Sequence, residues 1–458
     1  MARETSQFLN RIYIGFFILF VLFLIYFYTG NTTVQYAVVT IASVMFVISW
    51  WMSSKLFKII GGAFLLIGFL LAFVSGISFS ETIVHIIDNM NLLLFLSLLP
   101  FINTVIQVGG MEESIVSLIE DQKGRLDKIY NRTIMTTYVL TIFLNISSIY
   151  IVQNVLGKIL NGEDRNVRIH FIAKSTLRAF GLAVMWSPIE ILVGISIDET
   201  GASYFQVIPW IILISIIMYL YEMKKVSTEF SQIQIGYEFE KLDFDAVKKS
   251  LIKLAIIVIS FMALVIGLVE YFDSGFVMTV ALIIIPFSVI TAIILRVFSY
   301  FLQVSLPAWK AHNNTMQHFT VLFLSLGVFS KGFSESVIPV YLESILRQIE
   351  GFFPFILLFI MVLIYILSMI GVHPVATIGI LGSMLAPIMS EATMVPIAVV
   401  MIVCGLGVAA AAPYGMTSTL TNQLLKISPY KITKLNWPFS LRIGFLAILV
   451  GSFIYYFV

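Results

Sequence analysis

Apolar runs of about 20 residues, each long enough to cross the hydrocarbon of a bilayer as a helix, recur from one end of the chain to the other with short polar turns between them. The pattern predicts spans at 12–30, 34–51, 56–77, 89–109, 169–197, 205–223, 251–271, 276–295, 318–335, 395–425 and 437–458. Two of these carry an interruption. Span 169–197 contains Trp186-Ser187-Pro188, and span 395–425 contains Ala412-Pro413-Tyr414-Gly415. A proline inside a helix removes a hydrogen bond and kinks the chain, so both spans are expected to be broken at these points.

Two further apolar stretches do not read as crossings. Segment 133–160 carries Asn145-Ile-Ser147-Ser148 at its middle and basic residues near both ends. A helix crossing there would put Lys158, Arg165 and Arg168 outside, against the tendency of cytoplasmic loops to hold the Lys and Arg. Two half-helices that enter from the cytoplasm, meet at Asn145 to Ser148 and return satisfy both constraints. Polar non-helical backbone at that depth is tolerated where it is buried in protein or lines a watery cavity. Segment 352–389 is too long for one helix and is broken at Gly371-Val-His373-Pro374, which predicts a second hairpin. Amphipathic segments at 111–132 and 337–350 precede the two hairpins and read as interfacial helices.

The resulting fold class is an all-α polytopic membrane protein with about eleven transmembrane helices plus two re-entrant hairpins. The N-terminus is cytoplasmic, the C-terminus outside, and the location the plasma membrane. On this topology only Lys331 and Arg347 of the 27 Lys and Arg fall away from the cytoplasmic side. Residues 1–32 form an extra N-terminal transmembrane helix and 33–223 a first repeat with its hairpin at 133–160. A cytoplasmic linker, 224–249, precedes a second repeat, 250–458, with its hairpin at about 353–390. Phe95-Leu-Ser-Leu98 recurs as Phe323-Leu-Ser-Leu326, Phe101 recurs as Phe329, and the same offset carries Asn145-Ile-Ser-Ser148 onto His373-Pro-Val-Ala376. The first hairpin opens inward and the second outward. The repeat is therefore inverted, the arrangement that supports alternating access.

Composition narrows the function. A chain 59% hydrophobic and 11% charged, with mean hydropathy +1.01, is not a soluble globule. The net charge of +2 follows topology and does not indicate nucleic-acid binding. A lone cysteine, Cys404, excludes an intrachain disulfide and a Cys-rich metal site. No Walker motif, HExxH or GxSxG is present, which argues against ATP hydrolysis and intramembrane enzyme chemistry by this chain.

In its eleven spans and two hairpins, its interfacial helices, its broken spans and the phrase Phe143-Leu-Asn-Ile-Ser-Ser148, the chain resembles the ion transporter superfamily. That superfamily includes divalent anion/sodium symporters, arsenite permeases and sodium/proton antiporters. The resemblance implies a homodimer whose transport domain moves against a scaffold in an elevator-type motion. The dicarboxylate branch has Ser-Asn-Thr at each hairpin tip. Here the tips read Asn145-Ile-Ser147-Ser148 and His373-Pro-Val-Ala-Thr377, which departs from that pattern.

The residues themselves suggest a site. Asn145, Ser147 and Ser148 at one tip, His373 and Thr377 at the other, and Thr417, Ser418 and Thr419 after the second break are the candidate solute ligands. Glu190, with Ser187, Asn145, Thr421 and Asn422, is the candidate site for a coupling ion, H⁺ or Na⁺. A carboxylate inside a membrane is costly and functional by default. No other cofactor is indicated. The reading is a secondary active transporter of a small solute, with an anion favoured. A flippase or exporter of a lipid-linked or polymer precursor is the alternative on the same architecture.

Overall fold

The computed structural model describes residues 11–110, 115–116, 119, 124–235, 244–272, 275–349 and 352–458. The chain is an all-α polytopic membrane protein. Among the described residues, nine helices are long and apolar enough to cross a bilayer, and a tenth span is formed if the bent pair Gln317–Ser334 and Ile338–Ile345, which turns by 73°, is taken together.

The elements group into two compact units. The first comprises 1–105, 272–348 and 379–388, and the second 106–271, 349–378 and 389–458. In the first unit, α1 (Ile12–Thr29), α2 (Thr32–Met52), α3 (Lys55–Val74), α4 (Phe79–Val84) and α5 (Met90–Val108) run in order. Gly30 ends α1 in a left-handed turn, and the Asn31 side chain then caps α2 by accepting from the N–H groups of Thr33 and Val34. This unit is completed by α12 (Phe276–Ile294), α13 (Phe298–Asn313), α14 (Gln317–Ser334) and α15 (Ile338–Ile349). Its tightest crossing is α3 on α14, where a Cβ on Gly332 would lie 2.0 Å from the Gly68 carbonyl oxygen. Only glycine at both positions allows this backbone approach, the small-residue packing that helices use in lipid.

The second unit holds the first hairpin, α6 (Leu126–Leu144) and α7 (Ser147–Ile159). The first broken span, α8 (Arg165–Val184) and α9 (Ile191–Thr200), follows, and then α10 (Tyr204–Tyr221) and α11 (Phe244–Phe272). After α16 (Phe353–Met369) and α17 (Pro374–Leu385) come the second broken span, α18 (Glu391–Gly407) and α19 (Met416–Leu425), and α20 (Pro429–Phe457). Helix α16 packs against α18 and α20. Helix α17 divides between the units. From Gly379 onward it belongs to the first, where Ser383 donates to Ser330 and Gly379 lies against Leu326.

Every predicted span coincides with a helix or a broken pair of helices, with some boundaries moved. The first hairpin begins at Leu126, seven residues before the predicted start at 133. Its first N–H bonds to the Ile233 carbonyl beside a two-residue antiparallel ladder, Gly124 with Ile235 and Arg125 with Gln234. Of the proposed interfacial helix at 111–132, residues 126–132 form the start of α6, and 111–114, 117–118 and 120–123 lie outside the described residues, as do 236–243 of the linker. The amphipathic segment at 337–350 is α15.

Six prolines, Pro100, Pro209, Pro286, Pro307, Pro396 and Pro438, sit inside continuous helices. Pro188 and Pro413 instead fall in true breaks. Proline alone does not decide where this bundle opens. The breaks occur where side chains and turns offer the freed backbone new partners.

Candidate functional site

All the candidate residues fall in the second unit. At the first hairpin tip, Asn145 adopts φ 45°, ψ −126° and Ile146 φ −63°, ψ −25°. These values approach the two central positions of a type II′ turn, in which glycine is the usual first residue. A non-glycine residue held there carries strain that the surroundings must offset. They do so in two ways. The Ser148 hydroxyl donates to the Asn145 carbonyl at 2.6 Å and contacts the Thr141 hydroxyl at 2.7 Å. The Asn145 side-chain amide donates to Glu190 Oε2 at 2.9 Å.

Glu190 is 8% exposed and stands at the N-cap position of α9 in extended backbone. A carboxylate in front of a helix N-terminus faces the positive end of the helix dipole. The break that delivers it is pinned from two sides. Ser215 gives its only proton to the Leu182 carbonyl (3.0 Å), so it must accept from Tyr138 (2.9 Å), which in turn accepts from the Trp186 indole N–H at 2.7 Å. Tyr204 donates to the Trp186 carbonyl at 2.6 Å. Helices α6 and α10 thereby hold the turn that precedes Glu190, and the Glu190 N–H closes it on the Ser187 carbonyl. The Ser187 hydroxyl is buried and has no partner among the described residues.

The second break is built differently. After α18 a single turn at Val408–Ala410 leads into the loop before α19, and the Thr417 hydroxyl closes that loop on the Ala409 carbonyl at 2.5 Å. The two breaks meet, because Met185 Cε lies 3.8 Å from where a Cβ on Gly407 would stand. Helix α19 presents Thr417, Ser418 and Thr421 inward, and Ser418 is fully buried with an unpartnered hydroxyl. Thr419 faces outward and donates to the Gly415 carbonyl of its own helix, and Asn422 is half-buried.

In the turn between α16 and α17, Gly371 takes φ 96° and His373 Nδ1 accepts the Val375 N–H at 3.3 Å. Thr377 is fully buried and its hydroxyl has no partner among the described residues. Its neighbour Ile378 and Leu192, two residues past Glu190, both lie against Gly405. Ser147 is exposed at the start of α7.

Two groups outside the predicted set organise this region. Gln153, 1% exposed on α7, donates from Nε2 to both Thr176 on α8 and Thr421 on α19, each at 2.8 Å. It joins the hairpin to both broken spans. The Arg178 guanidinium bonds both oxygens of Glu222 at 3.0 and 2.9 Å, Asn436 Oδ1 at 2.9 Å and the Leu435 carbonyl at 2.9 Å. Tyr130 completes the cluster by donating to Glu222 at 3.0 Å. A visible signal existed for the second group, since an arginine within an apolar run demands a partner. Gln153 is one polar residue among several in its helix and carried no such signal.

Chemically, the region offers a carboxylate that accepts from the Asn145 side-chain amide and faces the Ile191 and Leu192 N–H groups, hydroxyls of Ser187, Thr377 and Ser418 that have no partner among the described residues, and helix ends that favour bound charge. These are oxygen ligands and hydrogen-bond donors, suited to a proton, a hard monovalent cation or a small polar solute. Among the described residues no three His, Cys, Asp or Glu are placed to hold a metal ion.

No protein-family model and no curated protein sequence matches the chain. In three dimensions it is similar to the crystal structure of the YdaH transporter of Alcanivorax borkumensis, a protein described as having an unusual topology. The TM-score is 0.61 at 16% sequence identity, over 86% of this chain and 98% of that one. At that identity the likeness establishes a shared fold.

Proposed function

We propose that this protein is a secondary active transporter of the plasma membrane that carries a small anionic solute by elevator-type alternating access, driven by H⁺ or Na⁺. The carrying observation is the Asn145 to Glu190 hydrogen bond, 2.9 Å long, between the tip of a helical hairpin and the start of a broken helix. It joins one ionisable group to two interrupted elements, so that binding of a cation there would bear on the backbone of both. The fold shared with a transporter supports the reading, as does the gathering of every candidate ligand in one compact unit. Homodimer formation and membership of the ion transporter superfamily belong to the same reading.

In this scheme Glu190 carries the coupling charge, with the Asn145 amide orienting it. The hydroxyls of Thr377 and Ser418, with the helix ends beside them, replace the solute's water. The test is uptake into sealed vesicles of reconstituted protein, with dicarboxylates, inorganic oxyanions and amino acids offered in turn under an imposed pH gradient, an imposed Na⁺ gradient or neither. Accumulation of one anionic class driven by one of the two gradients is the expected result. Scrambling of a fluorescent lipid with no accumulation of any small solute would establish the flippase alternative instead.

A further inference from the structure

The first unit has a cavity of its own, lined by none of the candidate residues. Its volume is about 340 Å³, within the range of about 300–1,000 Å³ usual for small-molecule sites. It sits at the level of the Gly30–Asn31 turn that joins α1 to α2. Phe23, Tyr26 and Phe27 from the last turns of α1 give it three aromatic rings. Its polar groups are Gln35 from the first turn of α2, His85 and Asp88 from the single turn between α4 and α5, and Asn91 from the first turn of α5. That single turn is fixed by backbone contact. A Cβ on Gly327 of α14 would stand 2.2 Å from the His85 carbonyl oxygen, so α14 presses directly on the segment that carries His85 and Asp88.

The polar groups keep hydrogen-bonding capacity in reserve. Asp88 is bonded through Oδ2 to His85 Nδ1 at 2.8 Å, and its Oδ1 has no hydrogen-bond partner among the described residues. Gln35 Nε2 donates to the Tyr26 hydroxyl at 3.0 Å, which leaves the Gln35 carbonyl oxygen as an acceptor and the Tyr26 proton as a donor. Asn91 Oδ1 accepts from the Leu92 N–H at 3.0 Å, so its NH₂ group remains to donate. A carboxylate oxygen and an amide oxygen beside aromatic rings suit a cation that brings N–H donors of its own. One carboxylate is too few for a divalent metal ion, and rings favour an organic cation over an inorganic one. The Tyr26 and Asn91 donors suit an anionic or polar group next to that cation.

We propose that this cavity binds an organic ammonium group, carried by a small zwitterion or by the headgroup of a phospholipid. The ammonium donates to Asp88 Oδ1 and Gln35 Oε1 with the rings of α1 beside it, and the group attached to it accepts from Tyr26 and Asn91. Such a site is independent of the transport reading, since none of its residues belongs to the unit that holds Glu190.

The test uses the full-length protein and has one arm for each source. For the soluble source, ethanolamine phosphate is titrated by saturation-transfer NMR against protein in phosphatidylglycerol nanodiscs, which contain no ammonium. Glycerol phosphate is the matched compound without the amine. For the lipid source, delipidated protein in detergent receives phosphatidylethanolamine and phosphatidylglycerol in equal amounts. Native mass spectrometry then reads which lipid is retained first. Preference for the ammonium compound in either arm is the expected result, and the arm in which it appears identifies the source. Asp88→Asn should weaken that binding about 10-fold, the low end for a hydrogen bond to a charged group because Asp88 is 48% exposed. Phe27→Leu should weaken it about 2- to 5-fold. Glu335→Gln, which alters an exposed carboxylate of the same unit that does not line the cavity, should leave it unchanged. Absence of ammonium preference in both arms overturns the site. So does a preference that survives intact in Asp88→Asn. If that variant fails to fold, Phe27→Leu decides alone, and binding equal to the parent overturns the site.

Discussion

The two broken spans pose the same physical problem and solve it in opposite ways. Both are apolar helices opened at a proline, and both leave backbone groups to be satisfied far from bulk water. The break after α8 is fixed by side chains from other helices, Tyr138 and Tyr204 on Trp186, and it ends on a carboxylate. The break after α18 is closed by its own segment, Thr417 on Ala409 and Ala412 on Val408, and it contains only small or neutral residues. A charge whose position matters is held by bonds from outside, whereas a neutral cluster of hydroxyls closes on itself. On the proposed reading, coupling belongs to the first break and solute selection to the second.

The largest effect expected from disturbing this contrast comes from the helix that leads into the first break. Arg178→Ala leaves Glu222 buried and unpaired, a change that costs about 3–5 kcal/mol when one partner of a buried pair is removed. Loss of the folded protein on mild heating in detergent should follow. Replacing both partners together with apolar residues of similar volume should recover most of the loss.

Next in size is the tip contact. Removing a hydrogen bond to a charged group is worth about 1.5–3 kcal/mol, so Asn145→Ala should lower gradient-driven uptake by about 10- to 100-fold. Asn145→Gly separates side chain from backbone. Glycine accepts φ 45° without strain, so an equally inactive Gly variant places the effect in the amide, and an active one places it in the turn.

At the second break the effects should be smaller and of another kind. On the proposed reading Thr377→Val and Ser418→Ala each remove one hydroxyl's hydrogen bond to the solute, about 0.5–1.5 kcal/mol. Each should raise the solute KM by about 2- to 10-fold with the ion dependence of uptake unchanged. Thr419→Ala should have the least effect, with uptake kinetics indistinguishable from the parent, because its hydroxyl is exposed and bonded within its own helix.

The last two predictions mark what the sequence could and could not tell. Hydropathy located the spans, and the polar Asn145-Ile-Ser-Ser148 inside an apolar run located the tip. The apolar runs around Pro188 and Pro413 located both breaks. Six other prolines sit in uninterrupted helices, however, so the same residue type gave no general rule. In Thr417-Ser-Thr-Leu-Thr421, neighbouring side chains point about 100° apart around a helix. Which hydroxyls face inward depends on how α19 docks, and composition cannot supply that. Gln153 was silent for a related reason. Its partners Thr176 and Thr421 come from two other helices, the second of them 268 residues away along the chain. The Arg178 and Glu222 pair likewise exists only once α8, α10 and α20 are assembled.

The most direct test of the central claim, that Glu190 at the first break carries the coupling charge, compares the parent protein with Glu190→Gln in the same sealed vesicles. Two rates are measured for each, solute accumulation against an imposed ion gradient and solute-for-solute exchange without one. The glutamine keeps the shape and a hydrogen-bonding partner for Asn145 but holds no exchangeable charge. Accumulation should vanish while exchange persists near the parental rate. Accumulation that survives in the variant, with the same gradient dependence as the parent, would contradict the claim and move coupling away from Glu190.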